Sequence, residues 1–264
     1  MQLSLEPRTT IPEAATFDWS TTPLSEYYDG CYLKVLDDVF TPEECTALIA
    51  LAESDKEWSP AFVNFGLGPN DKFIDTEYRN SERILRFDHE AAEQIYKRLL
   101  PYVPELVEVR AGDKWESVVG TPAKKMGVWK LVGVNERLSF LRYGPGQFFR
   151  EHVDTQLDLP DGRKSRVTIQ IYLGEDGVEG GATRIRDMSG ARYFDVEPKK
   201  GRVLIFQQKD IWHSGQDVVE GSKYAVRSDF MNPPLSSHSS KLYNLAEPGL
   251  LCAPWLWLQM TWFD

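Results

Sequence analysis

His152 and Asp154 stand two residues apart in the stretch REHVDTQLDLPDG, residues 150–162. Alternate residues of an extended chain share a face, so both side chains point one way and Val153 points the other. One imidazole nitrogen and one carboxylate oxygen make half a metal site. By itself such a pair also occurs in ordinary strand packing, so a third donor has to come from elsewhere. The chain has four histidines. His89 sits in a polar helical context, FDHEAAEQ, and His238 in a Ser-rich loop, SSHSS. His213 follows GRVLIFQQKDIW, a buried-strand pattern running into a polar stretch. Two histidines and one carboxylate with other coordination positions open suit a non-haem Fe(II) centre. The same donors serve zinc hydrolysis, although the helical HExxH pattern of zinc proteases is absent.

An open iron site needs a co-substrate that chelates the metal and supplies electrons. If that is a 2-oxo acid, its far carboxylate needs a cation in the interior. Lys223 lies ten residues after His213, in GSKYAVRSDF, where Lys223, Ala225, Arg227 and Asp229 share one parity. A buried lysine without a counter-anion is costly. Either Lys223 or Arg227 is therefore the inward cation for an anionic ligand, or both are exposed strand charges. A polar stretch with Tyr78, Arg79, Asn80, Ser81 and Arg83 is a candidate lid or substrate wall. There Arg79 or Arg83 could hold a carboxylate, or the arginines form surface ion pairs. The insert LDLPDGRKSR after Asp154 borders the same place.

These side chains need a scaffold. From Leu138 onward the chain reads as short strands separated by turns: LSFLRY, FFREHVD, RVTIQIYLG, ATRIRD, ARYFDV, GRVLIFQQ and KYAVRSDFMN. Many short strands with turn signals predict an antiparallel sandwich or barrel. Upstream, CYLKVLDDVF reads as a strand. TPEECTALIALAES reads as a helix, with Thr41 as cap, Pro42 at its first position, Glu44 completing a capping box, and Cys45, Leu48, Ile49 and Ala52 on one face. A second helix is expected from His89 to Leu100, ending before Pro101. The stretch between the helices is expected to be a loop between short strands. Residues 1–30 read as an N-terminal arm on the surface or partly disordered. Residues 31–232 read as the functional domain, its β core at about 138–232. The Ser-rich then Trp-rich segment 233–264 reads as a tail packed on that domain.

Composition sets outer bounds. A chain of 264 residues with 42% hydrophobic residues can bury a sizeable core. A net charge of −10 argues against binding of nucleic-acid backbone or anionic membrane surfaces. Three cysteines without a CxxC pattern suggest neither a disulfide framework nor a zinc site. The beginning, MQLSLEPRTTIPEAATF, shows no secretory pattern, and the apolar stretch GLLCAPWLWLQMTWF is broken by Pro254. The expected compartment is cytoplasmic, with nuclear entry compatible, and no transmembrane segment is expected.

The ordered set LRYGPGQFFREHVD, RVTIQIYL, GVEGGATRI, GRVLIFQQ and HSGQDVVEGSKYAVRSDF resembles the prolyl 4-hydroxylase type of Fe(II)/2-oxoglutarate-dependent dioxygenase. YLKVLDDVFTPEECTALIALAE resembles the strand and helix that begin that family's domain. The resemblance implies a mainly β, α+β fold: a double-stranded β-helix (jelly-roll, cupin-like) with N-terminal helices packed on it. It implies Fe(II) held by His152, Asp154 and His213, with 2-oxoglutarate and O2 as co-substrates. It assigns Lys223 to the C5 carboxylate of 2-oxoglutarate and Tyr143 to a hydrogen bond with it. Tyr172 and Thr168 fall on another wall of that pocket, and Arg227 could touch co-substrate or substrate. The carboxylate of Asp154 favours hydroxylation over halogenation, since related halogenases lack one there. The implied reaction converts 2-oxoglutarate and O2 to succinate and CO2 while hydroxylating an unactivated C–H bond. Desaturation or ring formation follows if the bound substrate prevents hydroxyl transfer. The leading expectation is a prolyl or other residue of a peptide or protein as substrate, contacted by Tyr78, Arg79, Asn80 or Arg83. The alternatives are a free amino acid or small metabolite, and a non-catalytic jelly-roll binding module.

Overall fold

The apolar–polar alternation of residues 138–232 is realised as two facing antiparallel sheets. The computed structural model of the chain describes Leu5 and residues 16–64, 72–119, 128–174 and 177–233. In chain order the strands of the two sheets are β1 Leu33–Leu36, β2 Ser59–Pro60, β3 Arg79–Asn80, β4 Glu82–Phe87, β5 Gly133–Val134 and β6 Arg137–Tyr143. There follow β7 Phe148–His152, β8 Lys164–Tyr172, β9 Thr183–Arg186, β10 Tyr193–Val196, β11 Val203–Gln207, β12 His213–Gly215 and β13 Lys223–Asn232. The larger sheet has the order β1-β11-β8-β13-β6-β4-β2, with β5 also on β13, and the smaller has the order β10-β9-β12-β7-β3. This is the expected jelly-roll.

Each central strand of the larger sheet divides its side chains between two cores. Val167, Ile169 and Ile171 of β8, with Val203 and Ile205 of β11, join a cluster that includes Cys45, Leu48, Ala92, Ile95 and Leu99 of the helices. The opposite parity, with Tyr172, Leu204 and Phe206, packs with Ile185 and Val196 of the smaller sheet. All five residues of β11 are buried, as expected for a strand covered on both faces. The two longest helices among the described residues are α1 Pro42–Glu53 and α2 His89–Leu99. The capping box of α1 forms as the sequence predicts: Glu44 N donates to Thr41 Oγ1 at 3.2 Å, and Thr41 N donates to Glu44 Oε2 at 2.8 Å. Arg98 of α2 donates to both carboxylate oxygens of Glu44, at 2.6 and 2.8 Å, which ties the two helices together beneath the sheet.

Two expectations change. The packed structure reaches back past residue 31: Trp19, Leu24 and Tyr28 are buried in the inter-sheet cluster, so this part of the arm is core. The stretch expected as a loop between short strands carries β3 and β4, and Arg79, Ser81 and Arg83 within it are buried rather than exposed as surface ion pairs. The tail 234–264, with His238, lies outside the described residues. Among the described residues no helix is long and apolar enough to cross a membrane.

Candidate active site

The site lies between the sheets, where register decides which side chains meet. His152, the last residue of β7, is the cross-strand partner of His213, the first of β12. The strand ends at His152, so Asp154 projects from irregular chain rather than from a continuing ladder. The three residues still converge: one ligand atom from each lies within 4.8 Å of the others. His152 Nε2 is 3.8 Å from Asp154 Oδ1, and His213 Nε2 is 3.9 Å from Asp154 Oδ2.

The second nitrogens of the rings set the tautomers. His152 Nδ1 is 2.8 Å from the carbonyl oxygen of Arg150, and His213 Nδ1 is 3.2 Å from that of Ile211. A carbonyl oxygen only accepts, so each Nδ1 carries the proton and each Nε2 presents a lone pair. Such a hydrogen bond commonly orients metal-ligating histidines. Phe149 stacks on His152 with ring centroids 3.9 Å apart, and Phe206 meets His213 edge-on at 4.8 Å. Burial holds His152 well below the usual imidazole range, reinforced by His213 beside it. Burial likewise lowers His213, against the opposing pull of Asp154. Burial alone would raise Asp154, but Arg227, the two histidines and the Thr168 hydroxyl outweigh it and hold the carboxyl below its ordinary value. Two neutral imidazoles and an ionised carboxylate, with lone pairs on one point, form a donor set that fits Fe(II).

The surrounding cavity is lined on one side by Lys223, Tyr143, Leu141 and Ala225 and on the other by Phe149, Ser214 and Gly215. Tyr143 is paired with Lys223 across β6 and β13. Lys223 Nζ lies 5.3 Å from the Tyr143 ring centre and 5.7 Å from that of Tyr172. Burial pushes this ammonium down to about 8. Arg227 also lines the cavity, with Nη2 3.4 Å from Asp154 Oδ2 and 3.0 Å from Asp229 Oδ1.

The other expected residues are distributed differently. The Thr168 hydroxyl is spent on Asp154 Oδ2 at 2.6 Å, and the Tyr172 hydroxyl donates to Thr183 Oγ1 at 2.8 Å. Gln170 and Thr183, not singled out in the sequence, line the cavity next to them. The parity of Gln170 with Thr168 was the available signal. Arg79 lines the cavity with its guanidinium 4.4 Å over the Phe149 ring and its Nε donating to Ser81 Oγ at 3.0 Å. Arg83 is buried just behind it. Tyr78 is turned to the backbone, its hydroxyl donating to Glu151 O at 2.7 Å. Asn80 is half-buried on β3 beside Arg79.

Residues 138–228, which contain all three clustered donors, match the family model of the 2OG-Fe(II) oxygenase superfamily. The chain carries a 2OG-Fe(II) oxygenase domain. This 2OG-Fe(II) oxygenase is a 2-oxoglutarate-dependent dioxygenase; its metal is Fe(II), and 2-oxoglutarate and O2 are its co-substrates. No curated protein matches the chain. Among solved structures it is similar to a Pseudomonas putida prolyl-4-hydroxylase (19% identity, TM-score 0.47, covering 78% of this chain and 94% of that one). It is also similar to the viral collagen prolyl hydroxylase of Paramecium Bursaria Chlorella virus-1 in its 2OG complex (23%, 0.46, 78% and 98%). A third similar structure is a Trichoplax adhaerens prolyl hydroxylase in complex with a hypoxia inducible factor peptide fragment (15%, 0.48, 84% and 90%).

Proposed function

We propose that this oxygenase hydroxylates an unactivated C–H bond of an amino-acid residue, foremost a prolyl or other residue of a peptide or protein. One C–H bond becomes C–OH while 2-oxoglutarate and O2 become succinate and CO2, with the second oxygen atom of O2 entering succinate. His152, Asp154 and His213 hold Fe(II), which supplies the oxidising chemistry when bound. The observation that carries the reading is the convergence of those three donors, tautomers set, on a buried cavity that also contains Lys223. Lys223 takes the C5 carboxylate of 2-oxoglutarate, and Tyr143 flanks it. Phe149, Leu141 and Ala225 exclude water, which strengthens each charge interaction inside. The carboxylate of Asp154 supports hydroxylation over halide transfer. The reading includes a cytoplasmic setting, supported by three cysteines without disulfide-like spacing.

The test is anaerobic loading with Fe(II), then exposure to O2 with 2-oxoglutarate and a blocked peptide panel. Succinate and a product heavier by one oxygen should form in equal amounts, and both should vanish in Asp154→Ala. Turnover with free amino acids but with none of the peptides would move the reading to a small-molecule substrate.

A further inference from the structure

The N-terminal segment reaches the metal-ligand cluster through one hydroxyl. Tyr28 ends the short helical turn Ser25–Tyr28 and is 4% exposed. It lies outside residues 138–228, which match the family model. Trp19 packs on its ring with centroids 5.1 Å apart, and Trp19 Nε1 donates to Cys31 O at 2.8 Å, so the Tyr28 ring is backed by an anchored neighbour. The Tyr28 hydroxyl donates to Arg186 O at 2.6 Å and accepts from Trp212 N at 3.2 Å. Burial pushes this phenol up to about 12, so it stays protonated and keeps both roles.

Its two partners belong to one rung of the smaller sheet. In the β9–β12 register Ile185 is opposite His213, which puts Arg186 opposite Trp212. Arg186 N donates to Trp212 O at 3.1 Å, as an antiparallel ladder requires. The return bond, from Trp212 N to Arg186 O, runs instead through the Tyr28 hydroxyl. A side chain of the N-terminal segment is thus built into the ladder at the step just before His213. The chain enters that step through Asp210, which has φ +70°. This left-handed conformation is costly for a residue other than glycine and persists where its surroundings hold it.

The peptide held by Tyr28 is also the one that holds His213. Trp212 N and Ile211 O belong to the same planar unit, and Ile211 O accepts from His213 Nδ1 at 3.2 Å. Hydrogen bonds in series polarise one another in a low-dielectric interior. Acceptance of the Trp212 N–H by the Tyr28 hydroxyl therefore makes Ile211 O a stronger acceptor. A stronger acceptor fixes the His213 ring, holds the proton on Nδ1 and raises the basicity of Nε2. His152 Nδ1 uses a different peptide, through Arg150 O, and serves as an internal control. Resting on the reading of His213 as a metal ligand, we propose that Tyr28 is a positioning residue of the metal centre, acting on His213 through the Ile211–Trp212 peptide. The N-terminal segment is then part of the site as well as part of the core.

The test is ¹H NMR of the full chain loaded with Co(II), in which the exchangeable Nδ1 protons of ligating histidines appear far outside the ordinary range. Two such signals are expected. Phe149→Leu, which removes the ring stacked on His152, identifies the one from His152. Tyr28→Phe should move the His213 signal and speed its exchange with solvent while the His152 signal holds. Fe(II) affinity, measured by anaerobic competition with a chelator, should fall about tenfold in the same variant. Tyr28→3-fluorotyrosine keeps the hydroxyl and its packing but makes it a weaker acceptor. It should move the same signal by a smaller amount, and it keeps the test decisive if Tyr28→Phe does not fold. Absence of both shifted signals in the natural protein would defeat the metal-ligand reading itself, and the proposal with it. Two signals that both hold in the Tyr28 variants, or that move together, would overturn the proposal alone and leave Tyr28 as a core anchor.

Discussion

Arg227 Nη2 lies 3.4 Å from Asp154 Oδ2, in the heart of the metal-ligand cluster. The same nitrogen is 3.0 Å from Asp229 Oδ1, so one guanidinium stands between two buried carboxylates. Gln208 Nε2 fixes Asp229 from behind, at 2.8 Å. Burial would push Arg227 down, but Asp154 and Asp229 raise it above its ordinary value. Removing the guanidinium leaves buried charge uncompensated. Arg227→Met should cost about 3–5 kcal/mol in urea unfolding of the metal-free protein. A loss below about 1 kcal/mol would be the value for an exposed pair and would contradict this burial.

Thr168 Oγ1 donates to Asp154 Oδ2 at 2.6 Å, so with Asp154 as the proposed metal ligand the hydroxyl orients that carboxylate. Thr168→Val keeps the shape and removes the donor. Fe(II) affinity, measured by competition with a chromogenic chelator, should fall about 10- to 100-fold, with far-UV circular dichroism unchanged. Unaltered metal affinity would show that the hydroxyl does not orient this carboxylate.

The proposed role of Lys223 in holding 2-oxoglutarate predicts a pH dependence of co-substrate binding. Burial lowers its ammonium to about 8, against 10.5 for an ordinary lysine. A bound carboxylate favours the charged form, so 2-oxoglutarate affinity should be level below pH 8 and fall above it, by up to about tenfold per pH unit. Stability of the free protein runs the other way. Between pH 8 and 10.5 the unfolded chain binds more protons at this residue, so its contribution to stability rises with pH across that window. Lys223→Ala should weaken 2-oxoglutarate binding by about 2–5 kcal/mol and abolish the pH step. If calorimetry shows unchanged affinity in Lys223→Ala, the contact passes to Arg227.

The framework makes its own prediction. Thr41 and Glu44 cap α1 reciprocally, and Glu44 also receives Arg98. Thr41→Ala should cost about 1 kcal/mol of stability in denaturant unfolding, with 2-oxoglutarate binding intact. A change in binding would mean that α1 is coupled to the cavity.

The chemistry-bearing residues of β7, β12 and β13 were legible because strand parity is local. Spacing paired His152 with Asp154 and Lys223 with Arg227, each pair within its own segment, and α1 announced itself through Thr41, Pro42 and Glu44. Contacts that depend on register were not legible. Parity with Thr168 marks the face of Gln170, but nothing in the order of residues shows that Thr168 meets Asp154, because sequence distance does not encode which strands become neighbours. Arg79 was expected as part of a lid or substrate wall carried by a loop. Its polar, turn-rich surroundings resemble a loop, yet β3 pairs with β7 through Arg79 and Phe149, and stacking on Phe149 makes the arginine part of the wall. Trp19, Leu24 and Tyr28 were hidden by the weak periodicity of a segment that packs through isolated anchors.

The central claim is that His152, Asp154 and His213 hold Fe(II) in a site that also takes 2-oxoglutarate. Anaerobic titration of the purified protein with Fe(II) and then 2-oxoglutarate, following the visible metal-to-ligand charge-transfer band, tests it most directly. A band that saturates in the natural protein and is lost in Asp154→Ala is the predicted result. Metal-replete protein that shows no band, or an Asp154→Ala variant with an undiminished one, would contradict the assignment.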